Sequence, residues 1–229
     1  MALIGNPNVG KSVIFNNLVP GGRQHVGNWP GKTVEKKEGR CLYKGSELRV
    51  VDLPGTYSLT ARAVDELIAR NYILKEKPDV VVDIVDASNI ERNLYLTLLL
   101  LELEANLVMA LNMFDVAKNK GYQIEVGRLS EQLGVPVVPT VATAKEGMDH
   151  LKDVILQAAE EGKGKIKVRY GDQVEDLIEK VVGIIEKDET LAEKYPSRWL
   201  AIKLLERDRE VLEKIQDSEY RQELLGVVS

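Results

Sequence analysis

The chain has 229 residues, 44% hydrophobic and 29% charged, which is the composition of a globular protein with room for one sizeable α/β domain and a small appendage. One cysteine, Cys41, excludes an internal disulfide framework and indicates a reducing compartment, and two histidines are too few for a transition-metal site. Residues 1–170 carry 22 Lys and Arg against 21 Asp and Glu, whereas residues 171–229 carry 9 against 15. The resulting net charge of −6 in the tail argues against nucleic acid or an anionic membrane surface as its direct partner.

No targeting or membrane-spanning segment is visible in the sequence. Met1 leads straight into an apolar strand, and the longest apolar run, Leu94 to Leu101, is far shorter than the ~18–20 residues that span a bilayer. We therefore expect this chain to be soluble by itself. It stops on an apolar segment with no closing polar stretch, so we also expect it to be cut from a longer protein.

The stretch from Gly5 to Ser12 reads G-N-P-N-V-G-K-S and fits the phosphate-binding pattern G-x-x-x-x-G-K-[ST]. An apolar run precedes it and an apolar-periodic segment follows, which gives the order strand, glycine loop and helix. In such a loop the backbone N–H groups turn inward around a phosphate, and the new helix presents its positive end. Lys11 is then expected to reach the β- and γ-phosphates, and the Ser12 hydroxyl to bind Mg²⁺. The nucleotide contacts predicted here are Asn8, Val9, Gly10, Lys11, Ser12 and Val13.

Apolar periodicity predicts alternating strands and helices up to about residue 160. Residues 20–32 are rich in glycine and proline and indicate a long, mobile loop, and a second flexible segment is expected over about residues 53–63. The predicted strands are Val34–Tyr43, Glu47–Val51, Val80–Val85, Leu107–Leu111 and Val135–Pro139, and the predicted helices cover about residues 90–104, 125–133 and 148–160. This alternation implies a doubly wound, mostly parallel sheet, the α/β fold of a P-loop NTPase G domain.

The pattern becomes purely helical after Gly162-Lys163-Gly164-Lys165, which reads as a domain boundary. Apolar residues at i, i+3, i+4, i+7, i+8 and i+11 predict an amphipathic helix, and two shorter stripes predict two more helices in a packed bundle. The stripes are Val174, Leu177, Ile178, Val181, Val182 and Ile185; Trp199, Ile202 and Leu205; and Val211, Leu212 and Ile215. We therefore predict an α/β domain over residues 1–165 and a small all-α domain over residues 166–229.

Three further motifs follow predicted strands, as the P-loop does: Asp52-Leu53-Pro54-Gly55, Asn112-Met113-Phe114-Asp115 and Thr143-Ala144-Lys145. Ligands of doubly wound sheets bind outside the carboxyl ends of the strands, so all four motifs should lie at one site. There the Asp52 carboxylate is expected to hold Mg²⁺ through water. The Gly55 N–H is expected to contact a γ-phosphate, because glycine permits close backbone approach.

The second of these motifs predicts which base is bound. A carboxylate at Asp115 accepts two N–H donors, which guanine offers at N1 and N2 and adenine does not. A site built on hydrogen bonds rejects the unmatched analogue by orders of magnitude. Asn112 and Met113 belong to the same base-recognition motif, and Thr143 and Ala144 to the next loop, where the Ala144 N–H is expected to face the guanine O6.

Thr33 lies in the glycine- and proline-rich loop and is a candidate γ-phosphate sensor. Its hydroxyl would bind Mg²⁺ and its N–H the γ-phosphate only while the third phosphate is present, so the loop would switch between order and disorder. On position alone, Thr56 and Thr60 are rivals.

With these motifs the sequence resembles a translation-factor-type small GTPase and, more narrowly, the cytosolic N-terminal region of the prokaryotic ferrous iron transport protein B (FeoB) family. The resemblance covers essentially the whole chain, and its N-W-P-G-x-T stretch favours Thr33 over its rivals. The matching stretches are G-N-P-N at 5–8, V-G-N-W-P-G-K-T-V-E at 26–35, D-L-P-G-T-Y-S-L at 52–59, E-R-N-L-Y-L at 91–96, N-M at 112–113 and R-W-L-A-I-K-L-L at 198–205.

The resemblance implies a GTP-hydrolysing G domain followed by a helical domain that restrains GDP release, on the cytoplasmic face of a prokaryotic membrane. It implies Mg²⁺ at Ser12, Thr33 and Asp52, an activating K⁺ at Asn8, nucleotide contact at Gly31 and catalytic roles for Lys11, Thr33 and Gly55. The expected partners are the protein's own membrane-spanning Fe²⁺ pathway, small accessory iron-transport proteins and further copies of the chain through its helical or switch regions. Nucleic acid is not expected.

Two departures from the general GTPase pattern affect the expected rate and affinity. Met113 replaces the usual lysine over the base, which should weaken nucleotide binding, although this replacement is usual in the resembled family. Thr56 and Tyr57 stand where a glutamine would orient the attacking water, so we expect slow hydrolysis, with main-chain groups and a cation positioning the water. The presence of Lys32 has no explanation in the sequence. Two alternatives remain: a soluble GTPase acting in ribosome assembly or tRNA modification, and a non-catalytic GTP sensor.

Overall fold

The structure is a computed structural model, and it describes residues 1–21, 24–60, 63–162 and 168–228. The chain divides into two compact units, one made of Met1–Leu100 with Ala105–Ile166 and the other of Leu101–Glu104 with Lys167–Ser229. The predicted boundary residues Lys163, Gly164 and Lys165 lie outside the described residues, as do Arg23, Ala61 and Arg62 of the two predicted flexible segments.

The first unit is built on one sheet, which has seven strands within the described residues. In chain order the strands are β1 (Ala2–Gly5), β2 (Gln24–Asn28), β3 (Glu35–Tyr43), β4 (Ser46–Asp52), β5 (Val81–Asp86), β6 (Leu107–Asn112) and β7 (Val137–Pro139). Across the sheet their order is β2-β3-β4-β1-β5-β6-β7. The ladders from β4 through β1, β5 and β6 to β7 are parallel, while β2, β3 and β4 pair antiparallel. The predicted doubly wound, mostly parallel sheet is therefore confirmed.

Helices follow the strands of this unit and cover the sheet. They are α1 (Lys11–Leu18), α2 (Val64–Glu76), α3 (Ile90–Glu102), α4 (Phe114–Asn119), α5 (Val126–Leu133) and α6 (Met148–Glu161). One face of the sheet packs on α1 and α6 through a cluster of buried apolar side chains that includes Leu3, Phe15, Val82 and Leu151. Because side chains alternate along a strand, Ile4 and its neighbour Asp83 belong to the opposite face, where Thr97 of α3 bonds Asp83.

The strand β2 corrects one prediction. The glycine- and proline-rich stretch that predicts a long mobile loop holds five residues paired antiparallel with β3, from Gln24 beside Gly39 to Asn28 beside Glu35. The segment Q-H-V-G-N has one large apolar residue and a glycine, so it lacks the alternation of apolar and polar residues that would predict a strand. Pairing with the nine-residue β3 decides its conformation, because strand formation depends on its neighbours more than on intrinsic propensity. The sequence pattern likewise does not predict helices α2 and α4.

The second unit is helical, as predicted. Its helices are α7 (Asp172–Ile185), α8 (Glu189–Lys194), α9 (Ser197–Leu205), α10 (Arg209–Lys214) and α11 (Arg221–Val227). Ile178, Val181 and Ile185 of the longest predicted stripe are buried, but Val174 and Leu177 are each 40% exposed, so their assignment to the packed face is wrong. The buried face of α7 consists of Ile178, Val181, Ile184 and Ile185, and in the first turn Glu175 continues it in place of the predicted Val174 and Leu177.

The second unit also holds buried charges. Arg198 donates to both carboxylate oxygens of Glu175, at 2.7 and 2.9 Å, and to the Val168 carbonyl oxygen at 2.6 Å. Lys203, 1% exposed, pairs with Glu102 at 3.2 Å. Within the described ranges, no helix combines the length and the apolar character needed to cross a membrane.

Candidate functional site

The P-loop joins the end of β1 to the start of α1, as the sequence predicts. Gly10 precedes the helix in the left-handed conformation, with φ of 87°, and its carbonyl oxygen accepts the N–H groups of Val13 and Ile14. A Cβ at Gly10 would overlap the amide nitrogen of Asn112. Asn8 also has a positive φ, 69°, which is uncommon for a residue other than glycine. The loop is therefore held in a conformation that leaves the first turn of α1, with Ser12 exposed, open to a ligand.

Lys11 and Asp52 lie side by side at the carboxyl edge of the sheet. The Lys11 ammonium donates to the Asp52 carboxylate, and the two side chains are 14% and 9% exposed. Burial raises the pKa of Asp52 above its ordinary value, and the Lys11 ammonium opposes that rise. The cation predicted to bind phosphate and the anion predicted to hold a metal thus neutralise each other in this structure.

Gly55 lies against the P-loop. A Cβ at Gly55 would be 3.5 Å from the Cα of Pro7, and the next residue, Thr56, donates its N–H to the Gly5 carbonyl oxygen at 3.1 Å. The segment that follows β4 therefore runs beside the P-loop, where the D-x-x-G motif predicts it.

Asn112, at the end of β6, ties two loops of the site together. Its buried amide nitrogen donates to the Val9 carbonyl oxygen at 2.9 Å. Its amide oxygen accepts the Thr140 hydroxyl at 3.2 Å and the Ala142 N–H at 3.1 Å. The carboxamide thereby fixes the P-loop relative to the loop after β7.

Other residues predicted to contact the base lie in the segments that follow β6 and β7. Met113 has a φ of 57° and begins α4, and its methyl group lies 3.9 Å from the position of a Cβ at Gly10. Asp115 stands exposed in the first turn of α4. Thr143 and Ala144 lie in a 3₁₀ turn, and the Ala144 N–H donates to the Val141 carbonyl oxygen at 3.0 Å.

Thr33 is exposed and makes no hydrogen bond to the P-loop in the part of the chain that the structure describes. Its loop is closed by the Trp29 N–H, which donates to the Val34 carbonyl oxygen at 2.9 Å. The Trp29 ring packs edge-on against Tyr72 of α2, with 5.6 Å between ring centroids. The structure therefore brings Lys11, Asp52, Gly55 and Asn112 together and leaves Thr33 apart. Gly31 has a φ of 67°, and a Cβ added there would meet no atom within 4 Å, so it too stands apart.

Sequence reasoning missed two features near the site. Asn6 is 3% exposed, and both polar atoms of its side chain lack a hydrogen-bond partner among the residues at 1–21, 24–60, 63–162 and 168–228. The Arg92 guanidinium lies 4.4 Å from the ring centroid of Tyr57, in the segment after Gly55. The phosphate-binding pattern treats residue 6 as unspecified. The signal that could find these residues is the set of matching family stretches at 5–8, 52–59 and 91–96, which contain Asn6, Tyr57 and Arg92.

A P-loop, a D-x-x-G segment, an N-x-x-D motif and a T-A-K loop, all at the carboxyl edge of a doubly wound sheet, define a P-loop G domain. The chain matches the family described as ferrous iron transport protein B over residues 1–155, and the FeoB cytosolic helical domain over residues 170–227. It therefore belongs to the ferrous iron transport protein B family, and the resemblance predicted from the sequence is confirmed.

Individual relatives agree with this assignment. The Fe(2+) transporter FeoB of Methanocaldococcus jannaschii is 53% identical over 228 residues, which cover 100% of this chain and 34% of that protein. The cytosolic domain of the T. maritima FeoB iron transporter, in GDP form I and in GMPPNP form, is 39% identical with a TM-score of 0.87. Those matches cover 99% of this chain and 90% and 91% of the two solved chains. The chain spans between 25% and 34% of the length of the first three curated relatives.

Proposed function

We propose that this chain binds GTP and hydrolyses it to GDP and phosphate, as the nucleotide-binding part of a ferrous iron transporter. The observation that carries the proposal is the Asn112 carboxamide, which joins the phosphate loop to the loop after β7; Asp115 follows three residues later, exposed in the first turn of α4. An exposed carboxylate at that position suits the paired N–H donors of guanine. The T. maritima neighbours in GDP and GMPPNP forms support the same choice of nucleotide.

The residues of the site suit a triphosphate with Mg²⁺. Ser12 and Asp52 offer a hydroxyl and a carboxylate, the oxygen donors that Mg²⁺ prefers. Thr33, which stands apart in this structure, would add a second hydroxyl when its loop moves to the site. When bound, the ion would neutralise charge on the β- and γ-phosphate oxygens. Lys11 exchanges its partner from Asp52 to the phosphates, and the Gly55 N–H and the P-loop N–H groups stabilise charge on the transferred group.

Hydrolysis is expected to be slow. Thr56 follows Gly55 where other GTPases carry a glutamine, and its hydroxyl already donates to the Ser58 carbonyl oxygen at 2.8 Å. No carboxamide there orients the attacking water, so main-chain groups and a cation must position it. Asn8, held at a positive φ next to the phosphate site, is our candidate ligand for K⁺.

In the whole protein, nucleotide state would be coupled to Fe²⁺ passage. Curated relatives are Fe(2+) transporters three to four times as long as this chain, which supports a membrane region beyond it and a place at the cytoplasmic face of the membrane. Changes at residues 23–35 and 53–63 would report the γ-phosphate, and the helical domain would restrain GDP release. Accessory iron-transport proteins and further copies of the chain are further candidate partners.

Nucleotide titrations test the proposal. The 229-residue chain should bind fluorescent GTP and GDP analogues, which GTP but not ATP should displace. Asp115→Asn should lose guanine nucleotides and gain xanthine nucleotides, whose C2 carbonyl accepts from the new carboxamide. Equal displacement by ATP would refute the choice of base. A single-turnover rate of phosphate release that is negligible both with and without K⁺ would favour a GTP sensor.

A further inference from the structure

Asn6 is a buried polar residue next to the phosphate site. Its side chain is 3% exposed, yet within the described residues neither its amide nitrogen nor its amide oxygen makes a hydrogen bond. Buried carboxamides in folded proteins are almost always hydrogen-bonded, because an unpaired group loses its bonds to water without replacement. This conformation therefore keeps an unfavourable group that a different conformation could satisfy.

The segment that follows β4 is the part of the chain placed to satisfy it. The Leu53 N–H donates to the Leu3 carbonyl oxygen at 2.9 Å, and the Thr56 N–H donates to the Gly5 carbonyl oxygen at 3.1 Å. Asn6 is the next residue along this line of contacts. β1 ends at Gly5, so Asn6 begins the P-loop directly beside the segment that follows β4.

That segment is held partly by α2, where Arg70 donates to the Leu59 carbonyl oxygen and the Thr60 hydroxyl donates to the Glu66 carboxylate, each at 3.3 Å, and partly by hydroxyl turns of its own. The Ser58 N–H donates to the Thr56 hydroxyl at 3.3 Å, and the Thr60 N–H donates to the Ser58 hydroxyl at 3.1 Å. The Ser58 hydroxyl in turn donates to the Thr60 hydroxyl at 2.9 Å. Hydroxyl turns of this kind are local and weak, so they can be exchanged for other partners.

We propose that Asn6 is a positioning residue that holds residues 56–60 in the conformation formed when a γ-phosphate is bound. One carboxamide offers a donor and an acceptor, which match the C=O and N–H of a peptide group in that segment. When the Gly55 N–H turns to the γ-phosphate, the segment exchanges its hydroxyl turns for Asn6. The inference rests on the proposed GTP binding and adds, beside Thr33 and Gly55, a further residue that would distinguish GTP from GDP.

The test compares affinities for GMPPNP and GDP in the wild-type chain, Asn6→Leu and Asn6→Ala. Leucine keeps the shape of asparagine and removes both polar atoms. We expect GMPPNP affinity to fall about tenfold, equal to about 1.4 kcal/mol, with GDP affinity changed less than about twofold. The thermal midpoint of the nucleotide-free chain should stay unchanged or rise with leucine, since no hydrogen bond is lost. Hydrogen exchange at residues 56–60 in the GMPPNP complex should become faster in both variants.

Asn106→Ala is the matched control. Asn106 is a buried asparagine with partners, the carbonyl oxygens of Asp79 and Ala158 at 2.7 Å each, and it lies at the opposite end of the strands. Loss of the Asn106 side chain should lower the thermal midpoint and leave the ratio of GMPPNP affinity to GDP affinity unchanged. An unchanged ratio in both Asn6 variants of a chain that binds GTP would refute the inference alone. A wild-type chain that binds neither nucleotide would refute the proposed function and this inference with it.

Discussion

Asp83 is a buried carboxyl group in the central strand β5, and its removal should change how stability depends on pH. The side chain is 1% exposed and accepts one hydrogen bond, from the Thr97 hydroxyl at 2.6 Å. Burial raises the pKa of Asp83 from 3.8 to about 7, against the opposing effect of the Thr97 hydroxyl. The folded protein therefore keeps a proton on Asp83 at pH values where the unfolded chain has lost it.

The size of the effect follows from proton linkage. Between pH 3.8 and about 7 the folded state binds more protons than the unfolded state, so the free energy of unfolding falls as pH rises. At about 1.4 kcal/mol per pH unit, the loss between pH 5 and pH 8 is about 3 kcal/mol, and it levels off above the folded pKa. Asparagine keeps the acceptor for Thr97 and has no proton to lose, so Asp83→Asn removes this dependence.

Urea unfolding of the wild type and Asp83→Asn at pH 5, 6, 7 and 8 measures this pH dependence of the free energy of unfolding. The variant should gain stability relative to the wild type by about 3 kcal/mol from the lowest to the highest pH. Thr97→Val, which removes the hydroxyl that lowers the Asp83 pKa, should extend the fall in stability to higher pH. Parallel pH profiles of the wild type and Asp83→Asn would show that Asp83 is ionised in the folded protein, and the reasoning would be wrong.

Two other substitutions test the P-loop and the helical unit. Gly10→Ala should lower nucleotide affinity at least tenfold, because alanine is strained at φ 87° and its Cβ overlaps the Asn112 amide. Gly45→Ala is the control: Gly45 has a φ of 85° in open space, so its substitution should cost about 1 kcal/mol of stability and leave nucleotide affinity unchanged. Arg198→Lys keeps the charge but loses the paired bonds to Glu175, so urea unfolding should show a loss of about 1–2 kcal/mol. NMR titration of that variant should show the pKa of Glu175 rising from about 2, since the Arg198 hydrogen bonds are the main cause of its low value.

The sequence predicts those elements of the fold whose signal is local. The P-loop needs a strand, two glycines and a helix within about 18 residues, and β5 and β6 are apolar over most of their length, as buried parallel strands are. β2 has no such run, and its conformation is set by β3, whose register a single sequence does not reveal. Helix α2 mixes charged residues through most of its length, so its apolar face gives a weak periodic signal.

The candidate site shows the same limit at the level of side chains. Motif spacing places Lys11, Asp52 and Asn112 at one edge of the sheet, and the structure puts them there. Spacing does not reveal that Lys11 and Asp52 pair with each other, or that the Asn112 carboxamide is occupied by Val9 and Ala142. Such pairings depend on distances between loops that are remote in sequence.

The two faces of the sheet differ in a way that bears on switching. The face toward α1 and α6 is a continuous apolar cluster, and close-packed apolar surfaces adapt poorly, so it fixes the P-loop as a rigid platform. The opposite face carries Asp83, which bonds Thr97, and α3 holds the β5 end through Asn93, which accepts the Asp86 N–H at 3.3 Å. In the P-loop, Asn6 adds a buried carboxamide that makes no hydrogen bond within the described part of the chain. Hydrogen bonds can be exchanged between discrete partners where packed methyl groups cannot, so conformational change on GTP binding should centre on these hydrogen-bonded groups rather than on the apolar cluster.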